Sequence, residues 1–186
     1  VKADSSPIAP SQTEDIADSD KSSEKQKEVA LDGLLYTLNE EGTYEVGLER
    51  GVSSSSDPVS FSVREKIFDT PVTAIADDGF AECIRPNNDI QLPKTIGKIG
   101  KNAFTIAWIE THQLPEGLTA IGDFAFSKTG VAELRLPSSL SRLGRGVFRY
   151  VGELSFYNGS QLDWERIEID ETSFAGCPFH EISFLG

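Results

Sequence analysis

The sequence predicts an α/β solenoid: a right-handed stack of about five coils with one parallel β-sheet, an irregular or 3-10 side opposite it, and an N-terminal β-hairpin cap. Three observations predict it. Residues 92–113, 114–135 and 136–157 repeat with a period of 22 and no insertion. Leu92-Pro93, Leu114-Pro115 and Leu136-Pro137 open the copies; Ile99, Ile121 and Leu143 follow, each with a glycine behind it; Phe104, Phe126 and Phe148 come next. A fixed period of ~20–50 residues marks a stacked architecture in which each unit contacts only its neighbours. Second, Glu133-Leu134-Arg135-Leu136 alternates polar and apolar, as a strand with one buried face does. Third, the pattern extends outward: Val72, Ile75 and Phe80 precede the clean copies, and Ile169 and Phe174 follow them.

Residues 1–30 are polar, with Ile8, Ile16 and Val29 as the few core candidates, and read as a disordered or linker tail. Glu14 to Glu28 contains good helix formers. No methionine occurs, so Val1 is expected to follow a removed segment, and a tail behind it suits a spacer. Residues 31–186 form the repeat domain. Within 31–60, Leu34–Leu38 and Thr43–Val46 flank a Gly-containing turn and predict a hairpin that covers the first coil, followed by a Ser-rich loop. Residues 61–186 hold the repeats. In each, Pro137 or its equivalent ends the strand because it cannot donate to a further ladder bond. Ile121 and Phe126 bracket a short irregular stretch with inward side chains. Stacking at ~4.8 Å then aligns the Phe residues in a column. Between the last two copies, Phe156 through Trp164 adds length, with Asn158-Gly159 read as a turn rather than a glycosylation acceptor.

The units LPKTIGKIGKNAF, LPEGLTAIGDFAF and LPSSLSRLGRGVF resemble the BspA-like leucine-rich repeats of bacterial surface proteins. PVTAIADDGFAEC is similar to the first repeat of such arrays, FYNGSQLDWERIEID to an insert between repeats with Trp164 as its signature, and LLYTLNEEGTYEV to their entry hairpin. The resemblance spans residues 33–186. It implies a leucine-rich-repeat-like fold and a secreted or cell-surface bacterial protein, often a lipoprotein, with adhesion and host-protein binding as its roles. It supplies no catalytic residues. The chain departs from the pattern in its short central copies and in placing His112 where other copies have Leu134 and Ile182.

Candidate chemistry is sparse. Cys83 and Cys177 each follow a column Phe by three residues, so they occupy one position in the first and last copies. Four coil steps separate them by ~19 Å, beyond the ~7 Å that a disulfide spans; two separate thiols are expected. His112 reads as a partly buried ring with a local partner and His180 as exposed, about three coils apart, which argues against a shared metal. Glu65, Asp69, Asp77 and Asp78 lack an ordered calcium-loop pattern. No nucleophile–base set, phosphate loop or cofactor motif is present, so no enzyme activity, metal or cofactor is expected. A net charge of −13 lacks the basic footprint of a nucleic-acid binder, and no segment approaches the ~20 apolar residues of a membrane span.

The candidate partner-binding surface is the outward sheet face. One row comprises Gln91, Gln113, Arg135, Ser155 and Ser183; the next, mostly acidic, comprises Asp89, Thr111, Glu133, Glu153 and Glu181. Such a face suits a protein or glycan at the cell surface; a solvated face without a partner fits the same residues. The functional expectation is a non-catalytic recognition or adhesion module. Its alternative is a structural spacer without its own ligand. A lipid anchor upstream of Val1 and weak homodimerisation through the C-terminal end complete the expectations.

Overall fold

In the computed structural model, residues 26–50, 60–83, 89–108, 113–130, 134–151, 156–177 and 183–184 are described. The chain opens with an antiparallel meander of β1 (Glu28–Leu31), β2 (Leu34–Leu38) and β3 (Tyr44–Leu48). The expected hairpin is present, and a third strand precedes it. Glu28, Val29 and Ala30 therefore belong to the domain rather than to the tail. Asp32 and Gly33 turn β1 into β2 with φ of 54° and 77°, the left-handed pair that a tight hairpin turn requires. Asn39 organises the next turn: its side chain accepts from the Thr43 N–H at 3.1 Å.

β3 then pairs in parallel with β6 (Thr70–Ile75), so the meander covers the first coil as expected. β4 (Ser60–Ser62) and β5 (Lys66–Ile67) lead into β6. From β6 a ladder climbs the stack through β8 (Lys98–Ile99), β9 (Ala120–Ile121), β11 (Arg142–Leu143) and β13 (Glu168–Ile169). Ile75, Ile99, Ile121, Leu143 and Ile169 stand in register, so about four turns connect the five copies.

The strands expected from the Leu-rich segments also pair in parallel. β10 (Arg135–Pro137), β12 (Phe156–Asn158) and β14 (Ser183–Phe184) form one sheet, β4 pairs with β7 (Asp89–Gln91), and Gln113 bridges to Arg135. The stack thus has two parallel walls where a single sheet was expected. The longer one runs through the Ile-Gly steps that read as irregular. The reason is local. An inward Ile or Leu followed by glycine lets the next coil approach closely; a Cβ on Gly144 would lie 2.6 Å from Asp123 Oδ1 and 2.8 Å from its backbone N. Helix is almost absent. Among the described residues it is confined to α1 (Gln161–Trp164), where Ser160 and Asp163 form a reciprocal cap.

Between the two walls lies the core. Phe80, Phe104, Phe126, Phe148 and Phe174 stack at successive centroid distances of 5.4, 5.1, 5.9 and 5.4 Å. Phe61 closes one end at 6.3 Å and Trp164 the other at 6.2 Å, both tilted. The turns carrying this column use every amide in alternation. The N–H groups of Asn102, Phe104 and Ile106 reach Asp123, Ala125 and Ser127 of the next coil, while those of Ala103, Thr105 and Ala107 close local turns on Gly100, Asn102 and Phe104. The adjoining coil repeats this from Phe124 to Thr129.

Candidate recognition surfaces

On the Leu-rich wall, alternation sorts the side chains as the pleat requires. Ile90, Leu114, Leu134 and Leu136 are buried, while Gln91, Gln113 and Arg135 point to solvent. Gln113 and Arg135 border a shallow hollow of about 70 Å³ with Glu116 and Asn158, and the Asn158 amide donates to Glu116 Oε1. Neither Glu116 nor Asn158 was expected there; Glu116 follows Pro115, and Asn158 ends β12 opposite Pro137. Asp89 and Ser183 occupy strand positions on this wall. Thr111, Glu133, Glu153, Ser155 and Glu181 lie outside the described residues, and with them most of the acidic row. The residue opposite Arg135 is Phe156, not Ser155. The expected Ser155 lies seven residues after Phe148, whereas the nine-residue arc from Phe126 to Arg135 would give Tyr157; the structure places Phe156 there, eight residues on.

The Ile-Gly wall presents a second surface that sequence reasoning missed. Its outward side is floored by Ala74, Ala120, Gly100 and Gly122 and forms a trough of about 440 Å³ edged by Glu45, Asp77, Lys98, Lys101, Asp123 and Arg142. Small residues on the floor and charges on the rim are the signal that was available. The carboxylates here are structural. Asp77 Oδ1 accepts from the Lys101 N–H at 2.7 Å, and Asp123 Oδ1 from the Arg145 N–H at 2.9 Å, so each fastens one coil to the next. Lys98 pairs with Glu41 of the meander at 2.7 Å. Glu45 is held above the usual carboxylate range by burial and by the nearby Asp77.

The remaining candidates resolve simply. Cys83 is buried and Cys177 half-buried, and no disulfide joins them. Asp78 accepts from the Asn102 amide at 3.0 Å, and Asp69 pairs with Lys66 at 3.7 Å. Among the described residues no three His, Cys, Asp or Glu side chains converge on a metal-sized site. His112 and His180 lie outside them. Asp163 and Asp170 sit below the usual carboxylate range because the Ser160 and Thr172 hydroxyls donate to them. No described helix is long and apolar enough to cross a membrane.

Comparison with known proteins agrees with this geometry. A BspA type leucine rich repeat region matches residues 60–180 in six copies. Among solved structures, a leucine-rich repeat protein from Bacteroides capillosus is 17% identical with a TM-score of 0.56, over 87% of this chain and 100% of that one. The pneumococcal vaccine antigen PcpA is 22% identical with a TM-score of 0.58, over 81% of this chain and 42% of that one. A leucine rich cell surface protein from Faecalibacterium prausnitzii is 15% identical with a TM-score of 0.52, over 85% of this chain and 48% of that one. No curated protein sequence matches the chain.

Proposed function

The chain belongs to the BspA type leucine-rich repeat family, and from that premise we propose that it is a non-catalytic recognition module of a bacterial cell surface. Its partner is a protein or glycan, engaged through the outward face of the Leu-rich wall. The observation that carries this reading is the row Gln91, Gln113 and Arg135. These side chains project from strands whose alternate residues fill the core, so the row faces solvent, where a partner can reach it. Asp89 and Ser183 extend the same wall, and Thr111, Glu133, Glu153 and Glu181 are proposed as its neighbouring row. Repeated outward positions on a stacked scaffold suit an extended partner. Secretion, a lipid anchor ahead of Val1 and a role in adhesion follow from the same reading.

The test is a panel of immobilised extracellular-matrix proteins and host glycans probed by interferometry. At least one member should bind, and Gln113→Lys with Arg135→Glu should weaken that binding about tenfold, as removal of central contacts does. Silence across the panel favours the spacer reading. Binding unchanged in the double variant removes the sheet face from consideration. Self-association through the C-terminal end is a further part of the proposal. Phe184, 38% exposed on the outermost described strand, supports it, and a concentration-independent monomer in sedimentation would remove it.

A further inference from the structure

The turns that carry the Phe column have an outer surface unlike the rest of the chain. The second left-handed position of successive coils holds Glu82, Ile106, Lys128, Tyr150 and Gly176. Ile106, Phe124, Lys128, Arg149 and Tyr150 border a groove of about 350 Å³, with Asn102, Thr105 and Ser127 supplying neutral polar groups. The protein carries a net charge of −13, yet this groove has two cations and, among the described residues, no carboxylate in its lining. Lys128 and Arg149 form no ion pair among the described residues. The neighbouring Arg145, by contrast, is matched by Asp123 at 3.2 Å.

Arg149 is also held in place. Its guanidinium lies 5.0 Å from the centroid of the Tyr150 ring, with Nη2 3.4 Å from the hydroxyl. The ring in turn rests over Gly176, where a Cβ would come within 2.7 Å of it. A guanidinium stacked on an aromatic face keeps its donor fork and loses less freedom on binding an anion. Ile106 adds an exposed aliphatic edge at φ 57°, a conformation rarely tolerated by a β-branched residue.

We propose that this groove binds an acidic sugar unit, a carboxylate- or sulfate-bearing glycan, with Lys128 and Arg149 as its anion contacts. Charge complementarity sets the sign of the ligand: a cationic hollow on an acidic chain selects an anion and repels little of it locally. The backbone argues for a sugar over an extended peptide. Every N–H along this surface from Asn102 to Ala107 and from Phe124 to Thr129 is already bonded within or between coils, so no strand edge is open for a peptide to join. Recognition must come from side chains, and the two cations, the exposed Ile106 edge and the Tyr150 ring together match the chemistry of an acidic sugar ring. The volume lies within the ~300–1,000 Å³ typical of small-ligand sites. This groove lies away from the Gln91–Gln113–Arg135 row and does not rest on that reading.

Calorimetric titration of the full chain tests it with four probes: a heparin-derived tetrasaccharide, tetragalacturonate, neutral maltotetraose and hexaglutamate. One or both acidic sugars should bind, more weakly as salt rises, and the two arms separate sulfate from carboxylate recognition. Lys128→Gln with Arg149→Gln should cost about tenfold or more, the loss expected for charge-assisted contacts, with an unchanged melting temperature because both side chains are exposed. Tyr150→Asn, which tolerates the left-handed backbone, should weaken binding by freeing Arg149. Gln113→Lys with Arg135→Glu should leave it unaltered. Absence of binding by both acidic sugars, equal binding in the Lys128/Arg149 variant, or hexaglutamate binding as tightly as either sugar would overturn the proposal.

Discussion

Replacing Phe126 by alanine should be the most damaging single truncation in the Phe column. The ring is 0% exposed, with Phe104 at 5.1 Å on one side and Phe148 at 5.9 Å on the other. A buried Phe→Ala change costs ~3–5 kcal/mol, the spread reflecting how far the surroundings collapse into the cavity. Here collapse is opposed. Coil spacing is pinned by the Ile121–Leu143 ladder and by the Phe126 N–H bond to Val147 at 3.0 Å and the Phe104 N–H bond to Ala125 at 2.7 Å. The upper half of the range, ~4–5 kcal/mol, is therefore expected. Against a total stability of ~5–15 kcal/mol this is a large fraction. Phe174 is only partly buried and has one stacked Phe neighbour plus a tilted Trp164. Its truncation should cost less than that of Phe126, ~3 kcal/mol, at the low end of the same range. Urea denaturation followed by circular dichroism gives both values, with the m-value reporting whether the stack still unfolds as one unit. A cost for Phe126→Ala below ~2 kcal/mol, or below that for Phe174→Ala, would refute the reasoning from a rigid column.

Two further outcomes follow from the Ile-Gly wall. Gly144→Ala should destabilise by ~2 kcal/mol or more, because the new Cβ meets the Asp123 carboxylate and the Asp123 and Gly122 backbone at 2.6–2.9 Å; a melting temperature equal to wild type would contradict the close approach of the coils. Glu45 has a folded-state pKa above its unfolded value, so the folded form holds its proton more tightly and stability falls as pH rises between the two values. Glu45→Gln should lessen that fall and raise the melting temperature at pH 7 relative to pH 4, compared with wild type. An identical pH profile in both proteins would show that burial and Asp77 do not act on this group.

What was legible depended on how directly each feature prints on residue spacing. The Phe column and the separation of Cys83 from Cys177 follow from register alone, and the structure contains both. The Ile-Gly wall did not print, because two-residue strands such as Lys98–Ile99 are too short to show a period of two. β1 was hidden by its polar flank, although Asp32-Gly33 is a hairpin signal. The left-handed positions of the turns were readable in part. Asp78, Asn102, Phe124 and Gly146 occupy one aligned position, and three of these four tolerate positive φ. The groove beside Tyr150 was not readable, since its cations and ring come from two coils and meet only once the arcs are stacked. The register beside the insert was not readable: the arc after Phe148 differs in length from the arc after Phe126, and Phe156 rather than Ser155 faces Arg135.

Every statement about which side chains share a face depends on one-to-one register between coils, and disulfide mapping measures that register directly. In a background lacking Cys83 and Cys177, cysteine pairs at Lys98 with Ala120, and at Ala120 with Arg142, join in-register neighbours at ~4.8 Å, within the span of a disulfide. Lys98 with Arg142 spans two coils, ~9.6 Å, beyond it. Mild oxidation should close the first two pairs and leave the third open. Closure of the third pair, or failure of both neighbours, would contradict the stack on which both recognition surfaces are built.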